Sequence, residues 1–211
     1  MIPAYGLTQL IAPSTEPVTV SEVLAHSRIY AADADQTYIG LLITAAREWI
    51  ETTINRQCIS SQYLLTLNCF PGKSYDDVSP AGYRYGIIRL PKPPLISVDQ
   101  IQYVDATTLT MTTLSPTLYQ VSTYQTPGKV APARYQVWPV ADPQTLDAVQ
   151  VTFTCGYGTT AAAVPERLKL AIKTLVAEMY EHREASAEQA ANELPYGLKS
   201  YLKSLGWGNY T

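Results

Sequence analysis

The sequence predicts an α+β fold, a helical core with an inserted antiparallel β unit, and three observations carry that expectation. Two stretches repeat apolar residues at helical spacing, one before residue 55 and one after residue 163. Between them the period falls to two, in short segments separated by glycine and proline. The two helical stretches have matching wide apolar faces, which favours packing of one on the other and makes the β segment an insertion.

The first helix is expected over residues 18–29. It opens on Thr19-x-x-Glu22, the spacing at which each side chain satisfies the other residue's backbone N–H. Val20, Val23 and Leu24 supply a short apolar stripe. Asp33 and Asp35 offer caps for a second helix to about Ile54. Its apolar positions are Tyr38, Leu41, Leu42, Ala45, Ala46, Trp49 and Ile50, offsets that fit one buried helix face. In residues 63–69, Tyr63, Leu65, Leu67 and Cys69 alternate with polar or outward positions, as a half-buried strand requires. Residues 70–86 carry two prolines and three glycines and read as a long loop or hairpin.

Further strands are expected at residues 86–90, 98–104, 108–113, 119–123, 133–138 and 148–155. Pro91, Pro93 and Pro94 end the first of these, since proline cannot donate to a ladder. Gly156 and Gly158 let the chain turn sharply before helix resumes near Val164. There Pro165 suits the first turn and Glu166 the positive end of the macrodipole. Leu168, Ala171, Ile172, Leu175, Val176, Met179 and Tyr180 form the apolar face. The helical core is thus expected to centre on Leu41, Leu42, Ala45, Trp49, Leu168, Ile172, Leu175 and Met179. The expected organisation is an N-terminal arm over 1–17, helical core over 18–56 and 164–186, an inserted β unit over 57–163, and a C-terminal tail over 187–211.

Composition excludes several classes of function. The 211 residues allow roughly 70% of the unfolded surface to be buried, so no metal or disulfide is needed for stability. The net charge is −3 with no Lys/Arg run, so the electrostatic footprint of a nucleic-acid binder is missing. Tyrosine is abundant, 16 against 2 Phe. It suits half-exposed strand faces and equally suits surfaces that become buried in an assembly; composition does not separate the two. Cys58, Cys69 and Cys155 lack metal-ligand spacing and read as buried free thiols in a reducing compartment. The N-terminal stretch MIPAYGLTQLIAPS has no basic region, and no apolar run is long enough to span a bilayer. A product made in the cytoplasm is expected.

Catalytic constellations are missing from the sequence. Its two histidines are His26 and His182. His182 is expected near a helix C-terminus, where the dipole favours it. HExxH, GxGxxG, the phosphate loop and the GxSxG elbow are all absent. Asp33/Asp35 read as helix caps, and the Asp76-Asp77 pair is too few oxygens for calcium. No catalytic residue, metal site or cofactor is expected.

Five segments in order carry a family resemblance: VTVSEVLAHSRI at 18–29, LLITAAREWIE at 41–51, IRLPKPPLISV at 88–98 with YVD at 103–105, VTFTCGYG at 151–158, and VPERLKLAI at 164–172 continuing through YEHRE at 180–184. In these the chain resembles the head–tail connector (adaptor, or head-completion) proteins of tailed phages, including prophage and gene-transfer-agent relatives. The resemblance covers residues 18 to about 205; the segments 70–86 and 107–137 depart from it. It implies a structural virion protein that forms a ring, usually of twelve subunits, between the portal protein and a stopper or tail-completion protein. DNA passes through the lumen without sequence-specific binding, and no membrane is involved. The implied location is the virion neck, after synthesis in the host bacterial cytoplasm. The portal is then met by residues 194–211, with Leu194, Tyr196, Tyr201, Leu202, Leu205, Trp207 and Tyr210 as the anchoring side chains. The competing readings are another neck component, a stopper or tail terminator, and a small α+β hydrolase or ligand-binding domain using His182 with Glu181 or Glu184.

Overall fold

The computed structural model describes residues 5–28, 30, 35–72 and 86–181. The fold is α+β, with three helices and two antiparallel sheets among these residues. They divide into two compact units. Of the described residues, a β unit draws on 5–12, 60–72 and 86–156, and a helical unit on 13–28, 30, 35–59 and 157–181.

In the helical unit, α1 (Val20–Ser27) begins at the expected capping box. The Thr19 N–H donates to Glu22 Oε2 at 2.7 Å, and the Glu22 N–H donates to Thr19 Oγ1 at 3.3 Å. Arg28 ends the helix in the left-handed region, at φ 55°. Helix α2 (Gln36–Thr53) is capped by Asp35, whose Oδ1 accepts the Tyr38 N–H at 3.0 Å. Helix α3 (Glu166–Glu181) follows Val164 and Pro165. The core of this unit comprises Val18, Val23, Leu24, Ile39, Ile43, Ala46, Ile50, Ile54, Cys58, Ile59, Val164, Leu168, Ala171, Ile172, Leu175 and Val176. Tyr38 of α2 meets Tyr180 of α3 with ring centroids 6.3 Å apart.

The buried face of α3 is the expected one, with Leu168, Ile172 and Leu175 inside and Met179 packed at its margin. That of α2 is not. Leu41 is 66% exposed and Ala45 is exposed, while Leu42 and Trp49 are only partly buried. Ile39, Ile43, Ala46 and Ile50 hold the interior. At about 100° per residue, the true face lies roughly one residue step around the helix from the expected one. The cause is that two charged residues, Arg47 and Glu51, are buried on this face, so a stripe drawn through apolar residues alone is rotated away from them. The rotated face predicts that Leu41→Ser changes stability by less than about 0.5 kcal/mol. Ile43→Val, though the smaller change, costs about 0.5–1.5 kcal/mol. Urea melts of the two variants distinguish these outcomes.

The capping box also predicts an acid response. Accepting the Thr19 N–H holds the Glu22 carboxyl below its ordinary value of 4.5. A depressed folded value contributes stability above the unfolded value, and that contribution is lost as pH falls through the folded one. Removing the carboxyl by Glu22→Ala is therefore expected to destabilise by up to about 1 kcal/mol at pH 7, and thermal melts should show the gap from the wild type narrowing as pH drops below 4.5.

In the β unit, a five-stranded sheet runs in the order β1-β2-β8-β4-β5 and a three-stranded sheet in the order β3-β7-β6. The strands are β1 (Tyr5–Ile11), β2 (Ser61–Leu67), β3 (Ile88–Leu90), β4 (Leu95–Val104), β5 (Met111–Thr113), β6 (Tyr119–Ser122), β7 (Gly128–Pro132) and β8 (Val149–Cys155). Alternation in β2 and β8 matches burial residue for residue, as a half-buried ladder requires. Strand β8 lies between β2 and β4, with Phe153 opposite Tyr63 on one side and Val98 on the other.

Three expectations differ from what forms. Tyr5–Ile11, expected as part of an arm, is strand β1 and pairs antiparallel with β2. Residues 133–138 are not a strand; Tyr135 and Val137 are exposed there. The strand in that region is β7, at Gly128–Pro132, where no strand was expected. Gly128 pairs with Leu90, and a Cβ there would stand 2.5 Å from Leu95 side-chain atoms, so only glycine fits the corner. Cys69 is exposed because β2 ends at Leu67, whereas Cys58 and Cys155 are buried. All three cysteines are free.

Candidate functional site

The polar cluster of the helical unit gathers Glu16, Arg47, Glu51, Gln57 and Cys58. Arg47 Nε donates to Glu16 Oε2 at 2.8 Å and its Nη1 donates to Glu51 Oε2 at 2.9 Å. Glu51 Oε1 accepts the Cys58 N–H at 2.8 Å and Gln57 Nε2 at 3.0 Å. Thr44 Oγ1 donates to the other Glu16 oxygen at 2.9 Å. Arg47 and Glu51 are both 4% exposed. Burial acts to lower the Arg47 pKa, but the hydrogen bond donated to Glu16 and the charge of Glu51 outweigh it and raise the value. Burial first, then the Glu51 charge, pushes the Cys58 thiol far up, so this cysteine is not a nucleophile.

With Arg47 paired and the Cys58 thiol protonated, the cluster has the chemistry of a staple. It ties the segment before α1 and the turn after α2 to the middle of α2. The signal for it in the sequence was Arg47 and Glu51 at i,i+4 beside Ile43 and Ile50, which the apolar pattern alone passed over.

The carboxylates of the β unit serve turns and, at Asp99, the register shift within β4. Asp105 accepts the Thr107 and Thr108 N–H groups at 2.7 and 3.1 Å, which holds its carboxyl below the usual range. Asp142 accepts from Thr145 Oγ1 and the Gln144 N–H, with the same effect. Asp99 accepts from Ser97, Gln62 and Thr154. Among the described residues no group of three or more His, Cys, Asp or Glu could hold a metal ion, and no helix is long and apolar enough to cross a membrane. His26 is exposed on α1. His182, Asp33, Asp76 and Asp77 lie outside the described residues, as do Leu194, Tyr196, Tyr201, Leu202, Leu205, Trp207 and Tyr210.

What the β unit offers instead is surface. Strand β1 is the edge of its sheet, with Tyr5, Leu10 and Ile11 at 52%, 49% and 58% exposure. The opposite edge, β5, is flanked by exposed Leu109 and carries exposed Met111. Tyr124, Tyr135, Val137, Val140 and Leu146 are exposed on loops. Tyrosine is used both ways: Tyr63 and Tyr103 are buried on strands, while Tyr124 and Tyr135 stand in solvent.

Comparison with solved structures finds similar folds over 97–98% of the chain. A chain in "Neck of empty GTA particle computed with C6 symmetry" aligns over 98% of this chain and 97% of its own, with TM-score 0.74 and 20% identity. The fold is shared with a chain of a gene transfer agent neck. A chain in "Virion of native gene transfer agent (GTA) particle" gives TM-score 0.74 at 21% identity, covering 97% of both. One in "Neck of native GTA particle computed with C12 symmetry" gives 0.62 at 18%, covering 98% and 97%. No family model matches the sequence, and no curated protein does. At these identities the likeness is one of fold.

Proposed function

We propose that this chain is a structural, non-enzymatic subunit of the neck of a phage-like particle, acting as the adaptor ring between the portal and the stopper or tail. The observation that carries the reading is the fold match over 97–98% of both chains to neck and virion structures. The sixfold and twelvefold symmetry in the titles of two of them fits a subunit that works as one of many copies in a ring. The five sequence segments that resemble head–tail connectors fit the same role. Apolar residues exposed at both edges of the larger sheet suit a protein whose surface is covered on assembly. DNA then passes through the lumen without sequence-specific contacts, consistent with a net charge of −3, and the protein resides in the virion neck.

Portal docking is assigned to residues 194–211, with Leu194, Tyr196, Tyr201, Leu202, Leu205, Trp207 and Tyr210 as anchors. Deleting 194–211 is expected to abolish co-sedimentation with purified portal while leaving the melting of the described core unchanged. In particles, the deletion should yield filled heads that lack tails and leak DNA. Portal co-sedimentation by the truncated protein at full strength would refute the docking assignment.

A further inference from the structure

Strand edges differ in how they are protected, and β1 is the exception. An open edge offers unpaired N–H and C=O groups, which proteins usually guard with charge, proline, bulges or shortness. Strand β3 is three residues long, carries Arg89 and runs into Pro91-Lys92. The open stretch of β4 has two register shifts and Asp99. Strand β6 has four residues. Strand β1 has seven, YGLTQLI, without a charge or a proline. It pairs regularly with β2 through residues 5–9 before a register shift near Leu10, and no described strand pairs with its outer side. It is also exposed over most of its length, so β2 is its main support.

The other end of the same sheet has matching chemistry. Residues 106–115 contain no charged residue, and Leu109 and Met111 are 66% and 45% exposed around β5. The registers also place the two ends face to face in kind. Leu7 pairs with Leu65, which pairs with Val151 on the core side. Thr8 therefore lies on the opposite side of the sheet, as does Ile11, which pairs with Gln62 beyond the register shift. Thr112 pairs with core residue Tyr103, so Met111 lies on that same non-core side. In an all-antiparallel sheet of five strands the two end strands run parallel.

From these observations we infer that β1 of one subunit adds to the β5 end of a second copy of this chain, extending the five-stranded sheet from subunit to subunit. This rests on the ring reading above and specifies its lateral contact. Two different edges used head to tail generate a ring where the rotation closes, whereas an edge paired with itself generates only a two-fold dimer. A second copy is favoured over another partner because both ends are uncharged, present apolar residues on the same face and have the parallel orientation that repetition around an axis demands.

The test uses full-length protein assembled on purified portal, with Cys69→Ser removing the exposed thiol; Cys58 and Cys155 are buried. One preparation carries Thr8→Cys and another Met111→Cys, and they are treated with a short bismaleimide singly and mixed. The expected result is a cross-linked dimer in the mixture and its loss from either preparation alone. A Thr8→Cys product formed alone would mean β1–β1 pairing and overturn the inference, as would a cross-link to the portal. A ring visible by electron microscopy without the mixed product would also overturn it while leaving the adaptor reading intact. No ring at all would sink the adaptor reading, and this contact with it.

Discussion

Arg47→Met is expected to destabilise the helical unit by about 3–5 kcal/mol, because it leaves a buried carboxylate without its counter-charge. The side chain of Glu51 is 6% exposed, so water cannot replace the guanidinium. Glu16, at 31% exposure, reaches solvent and loses less. For a chain of this size, the loss corresponds to a fall in melting temperature on the order of 10 °C, followed by Trp49 fluorescence. A second variant separates charge from packing. In Arg47→Met/Glu51→Gln the buried charge is gone, but the amide oxygen still accepts the Cys58 N–H that Glu51 Oε1 now holds at 2.8 Å. The double variant is expected to be more stable than Arg47→Met alone. If it is less stable, the cost came from lost packing and not from the stranded charge.

Phe153→Ala is expected to cost a similar amount, about 3–5 kcal/mol, in the β unit. Phe153 is fully buried on the central strand β8, and its ring stacks on Tyr63 with centroids 6.0 Å apart. Truncation opens a cavity between two ladders that cannot collapse without shifting both registers. Trp138 reports on this unit, since it stacks on Phe70 at 4.8 Å and its Nε1 donates to the Gly86 carbonyl at 2.7 Å. Denaturant unfolding followed at Trp138 checks the prediction. A loss below about 1 kcal/mol would mean that the cavity refills and that β8 is not the packing centre.

The two periods in the sequence located the elements well where burial follows hydrophobicity. Strands β2 and β8 alternate because one face of each is core, and α3 is legible because its stripe is apolar throughout. Legibility failed where another requirement overrode that rule. On α2 the interior includes a charged pair whose partners, Glu16 and the Cys58 amide, are remote from it in sequence or lie beyond the helix end. Around β7 the decisive fact is the approach of Leu95 to Gly128, which no local pattern records. Residues 133–138 alternate like a strand yet find no partner to ladder with. Strand β1 depends on pairing with a segment more than fifty residues away, and its own residues are too exposed to show a core face. The staple was half visible, as an i,i+4 pair. The free sheet edges were not, because a free edge is a property of sheet order.

The central claim is that this chain forms a ring on a portal. Negative-stain or cryo-electron microscopy of purified portal mixed with the full-length protein tests it directly. The account predicts an added layer of density on one end of the portal, with multiple copies arranged cyclically around an open channel. Portal particles that remain bare, with the protein still soluble and folded beside them, would contradict it.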